Sequence, residues 1–168
     1  RESRKIRKEK GELGAIFVDY LTLMDAEKAE RNDLAYGKIT KGLTNLAKEL
    51  DCVVVLLLQL NRNLESRPDK RPIASDCKDT GQIEQDVSLL MMLYKESVYD
   101  DSISNQGLTE VIVRLNRKGG TGTGFVEMRQ GFHVPLSIED GAKMLAKREA
   151  EKKDAQEQQT SKITYKRK

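Results

Sequence analysis

Short apolar runs set the frame of the chain. Ala15-Ile16-Phe17-Val18 is closed by Asp19, which predicts a buried strand with a carboxylate at its C-terminal end. Cys52 to Leu58 is apolar throughout without alternation, the pattern of a strand buried on both faces of a parallel sheet. Between them Ile39, Leu43, Leu46, Ala47 and Leu50 recur at helical spacing, so an amphipathic helix covering the sheet is expected. Strand, helix and strand in this order make a parallel crossover unit, and the fold class expected is α/β. Val87 to Leu93 adds a third run. Thr109 to Leu115 reads as a strand and Gly124 to Met128 as its antiparallel partner, with the glycines between them forming a hairpin turn.

Two segments break the pattern. From Asn61 to Gln82 no apolar period is visible, and Pro68, Pro72 and several basic residues punctuate the stretch. A loop that long inside a compact domain is functional or disordered. From about residue 142 Lys, Glu and Gln displace the apolar residues, which predicts a helix fraying into a disordered, basic terminus.

Composition narrows the classes. At 168 residues, with 34% charged and 38% hydrophobic, the chain fits one core with some of its length left as tail. No apolar run reaches the roughly 18 residues of a membrane span, and the polar N-terminus offers no signal peptide. Membrane and secreted readings are therefore set aside. Cys52 and Cys77 are too few for a disulfide framework or a four-ligand zinc site, and His133 is the single histidine. A reducing, cytoplasmic compartment fits these thiols.

The net charge of +3 is uneven. Residues 1–10 carry +4 and residues 142–168 carry +5, which leaves −6 on the body between them. Contact with nucleic acid must then come from a local site rather than from overall charge. A chain that opens inside a charged helical pattern, without an initiator Met, also reads as a piece of something longer.

A carboxylate at the end of a buried strand is the arrangement by which a mononucleotide-binding α/β fold holds Mg²⁺, since ligands lie beyond the carboxyl ends of the strands. Asp19 stands there, although a turn or helix cap uses the same residue in the same place. Gln59 ends the second strand. Its amide could sense a γ-phosphate or orient the attacking water, or simply close the strand as a polar residue.

Taken together, the blocks Ile16-Phe17-Val18-Asp19-Tyr20-Leu21-Thr22-Leu23-Met24, Leu58-Gln59-Leu60-Asn61-Arg62, Asp69-Lys70-Arg71-Pro72 and Gly81-Gln82-Ile83-Glu84-Gln85-Asp86 resemble the replicative hexameric DNA helicases of the DnaB type. The resemblance covers roughly residues 1–133. It implies that residues 1–135 are the C-terminal half of a RecA-like helicase ATPase domain, a mostly parallel sheet flanked by helices with a C-terminal antiparallel hairpin. Residues 136–168 remain as a charged, basic, frayed or disordered tail. The family's phosphate-binding pattern GxxxxGK[ST] occurs nowhere in this sequence, so the fragment alone is expected to be inactive.

Carried over by position, the resemblance makes Asp19 the aspartate that holds Mg²⁺ through water and Gln59 the glutamine coupling the γ-phosphate to the DNA-binding loops. Lys78, Asp79, Thr80 and Gly81 are similar to the central-channel loop that grips the phosphates of single-stranded DNA without reading sequence. Arg117 falls on the arginine finger, a planar cation reaching the neighbouring subunit's nucleotide. Where the family usually has a lysine two residues earlier, this chain has Leu115 with Arg114 beside it.

The implied cofactors are ATP and Mg²⁺. The implied partners are single-stranded DNA, further copies in a homohexameric ring, a primase and a helicase loader, with no membrane. Two other readings stay open: a RecA-like ATPase that is not a helicase, and a truncated non-catalytic module that binds and modulates a full-length helicase.

Overall fold

A computed structural model describes residues 1–21, 32–77, 83–100 and 107–166. The chain divides into two compact units, one of residues 1–90 with 114–119, the other of residues 91–113 with 120–168. Among the described residues no helix is long and apolar enough to cross a membrane.

The first unit opens with α1 (Glu2–Lys10), which ends at Gly11. The glycine sits at φ 83°, and its N–H donates to Arg7 O at 3.0 Å, a left-handed helix stop that a residue without Cβ adopts at no steric cost. Strand β1 (Ala15–Val18) pairs in parallel with β2 (Val53–Leu56), Ala15 opposite Val53 and Val18 opposite Leu56. The connection between them is α2 (Asn32–Leu50), which packs against β2. The strand-helix-strand unit is therefore present.

Burial of this sheet is uneven and falls short of the two-sided cover expected for Cys52 to Leu58. Alternation puts Ile16, Val18, Val54 and Leu56 on one face, where they are half-buried. The other face leaves Phe17 74% and Val53 61% exposed. A continuous apolar run signals side chains suited to cover on both faces. Among the described residues the second face has it only at Val55, which is half-buried.

After β2 the chain runs through two short 3₁₀ turns, Arg62–Ser66 and Ala74–Asp76, and the brief helix α3 (Ile83–Asp86). Leu64, Pro72, Cys77, Ile83 and Leu90 are buried in this unit. The long aperiodic segment thus carries its own anchors.

Strands β3 (Leu89–Tyr94), β4 (Leu108–Asn116), β5 (Gly122–Arg129) and β6 (Phe132–Pro135) form a four-stranded sheet in that order. β4 and β5 pair antiparallel, Leu108 opposite Glu127 and Val113 opposite Gly122, as the hairpin pattern predicts. The β5–β6 turn is Gln130-Gly131, both at positive φ (49° and 87°), which matches the right-handed twist of a two-residue hairpin.

In the second unit Met92, Tyr94, Leu108, Ile112 and Phe125 form the buried core. The segment from 136 onward holds a long helix, α4 (Ile138–Lys166), whose first half is tied to that core. Gly141 faces Phe125 so closely that a Cβ there would lie 2.2 Å from the ring. Arg148, 1% exposed, donates from Nη2 to Glu110 Oε1 at 2.9 Å, and its Nε stands 2.6 Å from Glu96 Oε2.

Candidate functional site

The parallel pairing carries Asp19 and Gln59 to the same edge. Asp19 directly follows Val18, and Gln59 lies three residues past Leu56, the partner of Val18. Pairing continues past the named strands, because Leu57 N donates to Val18 O at 3.0 Å and Leu21 N to Leu57 O at 3.1 Å. Both side chains are exposed at the carboxyl ends of parallel strands, where ligands of α/β sheets collect. The Asp19–Tyr20 peptide is cis.

Among the described residues no group of three or more His, Cys, Asp or Glu could hold a metal ion. A single exposed carboxylate still fits Mg²⁺, which takes one or two carboxylates and completes its shell with phosphate oxygens and waters. Asp19 is the residue that would hold it.

Gln59 leads straight into a second set of contacts. Leu60 bridges Cys77 antiparallel, and Asn61 N donates to Asp76 O at 2.7 Å. Asp76, 7% exposed, is gripped by Arg67 through two charge-assisted bonds, Nη1 to Oδ1 at 3.0 Å and Nη2 to Oδ2 at 2.6 Å. Its Oδ2 also accepts from Ile73 N at 2.8 Å. Sequence reasoning missed this clamp, although an Arg and an Asp nine residues apart in a proline-punctuated loop were available as its signal. Burial, with Glu84 and Asp76 adding their negative charge, pushes the Cys77 thiol up to about 11.

Lys78, Asp79, Thr80 and Gly81, expected to touch DNA, lie outside the described residues. The described residues end at Cys77 before them and resume at Ile83, after Gln82.

Arg117 sits at the β4–β5 turn with its side chain exposed. It contacts neither Asp19 nor Gln59. Its guanidinium donates to backbone carbonyls at the end of α3: Nη2 to Gln85 O at 2.6 Å and Glu84 O at 3.2 Å, and Nε to Val87 O at 2.8 Å. Arg114, beside Leu115, donates from Nε to Pro72 O at 2.8 Å. That contact engages Arg114 within its own unit.

Residues 1–134 match the model of the DnaB-like helicase C-terminal domain. The chain belongs to that family. It is 43% identical over 121 residues to the replicative DNA helicase DnaB of Pasteurella multocida and 44% over 121 residues to that of Haemophilus influenzae. In each case 71% of this chain aligns to 26% of the relative, so the chain spans about a quarter of the length of the curated relatives it matches. Among solved structures, a chain described as an ATPase domain superposes with a TM-score of 0.72 at 33% identity, covering 80% of this chain and 50% of that one. A DnaB-like replicative helicase described with its interactions with primase gives a TM-score of 0.76 at 34% identity, over 81% and 33% of the two chains. The mixed α/β architecture of this DnaB-type domain is thus that of helicase ATPase domains.

Proposed function

We propose that the chain is part of the motor domain of a replicative DNA helicase that couples ATP hydrolysis to translocation on single-stranded DNA and duplex unwinding. The observation that carries this reading is the shared edge of Asp19 and Gln59, with the Gln59 strand continuing into the Leu60–Cys77 bridge immediately before residues 78–81. In this reading Asp19 holds Mg²⁺ through water and Gln59 relays the state of the γ-phosphate toward the DNA segment. Lys78 to Gly81 grip DNA phosphates, and Arg117 reaches the nucleotide of the next subunit. Mg²⁺ neutralises charge on the transferring phosphoryl group when ATP is bound.

Residues 1–135 then form the C-terminal half of the ATPase domain, and 136–168 an appended charged segment. The assembly is a cytoplasmic homohexameric ring served by a loader and working with a primase. Because the phosphates of a P-loop enzyme are held by backbone amides and a lysine absent from this sequence, the 168-residue chain alone does not turn over ATP.

The test uses the complete helicase. Asp19→Asn should abolish both ATPase activity and unwinding, whereas Gln59→Ala should keep nucleotide binding and lose stimulation by DNA. Full unwinding by Asp19→Asn would sink the assignment.

A further inference from the structure

Residues 1–10 hold six Lys or Arg against two Glu, and α1, which they form, buries none of its residues. At about 100° per residue, Arg1, Arg4, Lys5 and Lys8 fall at i, i+3, i+4 and i+7, so four cations make one stripe along the helix. All four are exposed, whereas Ser3 and Arg7, on another side, are half-buried. Helix α2 carries a matching face: Lys41, Asn45, Lys48 and Glu49 are exposed and share it at i, i+4, i+7 and i+8. One ion pair joins the two. Arg4 donates from Nε to Glu49 Oε1 at 2.6 Å and from Nη2 to Glu49 Oε2 at 2.8 Å, which sets the α1 stripe beside the cationic face of α2. That pair neutralises Glu49, and Lys5, Lys8, Lys41 and Lys48 meet no carboxylate among the described residues.

Topology separates this surface from the candidate nucleotide site. α1 leads into β1 and α2 into β2, and Val53 N donates to Gly14 O at 3.0 Å where the two strands begin. Glu49, just upstream of Val53, therefore marks the amino ends of the parallel pair, whereas Asp19 and Gln59 stand beyond its carboxyl ends. The residue types select the partner. Protein interfaces are depleted in Lys and anchored by aromatic side chains, and neither stripe holds an aromatic residue. Stacking on bases needs the same absent rings, which leaves backbone phosphates as the chemistry these cations fit. From Arg1 to Lys8 the stripe runs about 10 Å, the axial span of roughly three phosphates of one strand.

We propose that the joined faces of α1 and α2 are a second nucleic-acid site, which holds the phosphate backbone of a DNA strand without reading its bases. Lys5, Lys8, Lys41 and Lys48 supply the phosphate contacts, and Arg4 keeps α1 in register with α2 through Glu49. Lysine ammonium groups are compact charges on flexible stems, suited to a backbone whose shape varies along the strand. A local positive surface on a body that carries net negative charge also concentrates DNA at one place. The site stands on the two stripes and the ion pair between them, independently of the role given to Lys78.

Binding of labelled single-stranded oligo-dT and oligo-dA to the complete helicase, titrated at several salt concentrations, tests the surface. Combining Lys5→Ala, Lys8→Ala and Lys48→Ala replaces exposed helical side chains with the best helix former, so the fold is kept. This variant should bind both oligonucleotides more weakly at low salt. Its slope of log affinity against log salt should fall by about 2 for each engaged subunit, from about 0.7 for each lost phosphate contact. Combining Lys5→Arg, Lys8→Arg and Lys48→Arg should restore the parent slope, because charge is what the site uses. ATPase activity measured without DNA should stay at the parent level in both; its loss would place the effect in the motor and overturn the proposal. Lys78→Ala, measured alongside, keeps the two sites apart. If Lys78→Ala weakens binding while the combined alanine variant keeps the parent slope, the surface falls; the reverse result keeps the surface and removes the assignment of Lys78. An alanine variant that binds DNA as the parent does but loses binding to polyglutamate would give the surface to an acidic protein, and the proposal would fall.

Discussion

Arg148→Ala is the substitution with the largest consequence for the second unit. Arg148 and Glu110 are 1% and 3% exposed, and Glu96 is 12% exposed at its side chain. Truncating Arg148 leaves Glu110 buried without the guanidinium, while Glu96 retains its ion pair to Lys152, which also stands 3.8 Å from Asp100. Breaking a buried pair by removing one partner costs about 3–5 kcal/mol, a large share of the ~5–15 kcal/mol that holds a domain together. With a urea slope of about 2 kcal/mol/M, the midpoint should fall by roughly 1.5–2.5 M, read by circular dichroism. The double variant Arg148→Met with Glu110→Leu separates charge from packing: it should recover most of the loss, since well-packed apolar replacements of buried ion pairs are often neutral or better. A midpoint for Arg148→Ala equivalent to less than about 0.5 kcal/mol of change, the range of ordinary surface substitutions, would refute the reasoning.

Other outcomes follow from the same contacts. Gly141→Ala should destabilise the second unit by about 1–3 kcal/mol in the same urea assay, because its Cβ would meet Phe125 at 2.2 Å. Cys77, 5% exposed with its thiol pushed up to about 11, should resist alkylation at pH 8 in the folded chain while half-buried Cys52 reacts; equal labelling would contradict the burial. The same shift makes stability pH-dependent. A thiol whose folded value is raised contributes fully below its ordinary value of 9.0, and the contribution is lost as pH rises toward 11. Cys77→Ala should flatten that alkaline loss.

The features legible in the sequence were those with a local signature. Alternation with clustered glycines marked the β4–β5 hairpin, and the strand-end positions of Asp19 and Gln59 follow from the chain simply leaving a strand there. The β5–β6 hairpin was missed because its turn is Gln130-Gly131, without the Asn or Asp that ordinarily announces positive φ. Helix α3 is four residues long, too short to show a period. The Lys- and Glu-rich segment after 142 reads as solvated, yet Arg148 is its most buried described side chain because Glu96 and Glu110 meet it from distant positions. Partners 38 and 52 residues away leave no trace in a local pattern. Arg117 is similar: the resemblance pointed to its nucleotide role, but its carbonyl contacts, about 30 residues back, exist only in the folded chain.

The central claim, that Asp19 serves its own subunit's nucleotide and Arg117 the neighbour's, is tested most directly by mixing Asp19→Asn and Arg117→Ala forms of the complete helicase and measuring DNA-stimulated ATPase activity. Each uniform ring lacks one half of every site and should be inactive. In rings mixed at random in equal parts, about a quarter of the head-to-tail interfaces pair an intact Asp19 with an intact Arg117, and activity should return in that proportion. No recovery, with mixed rings verified, would contradict the account.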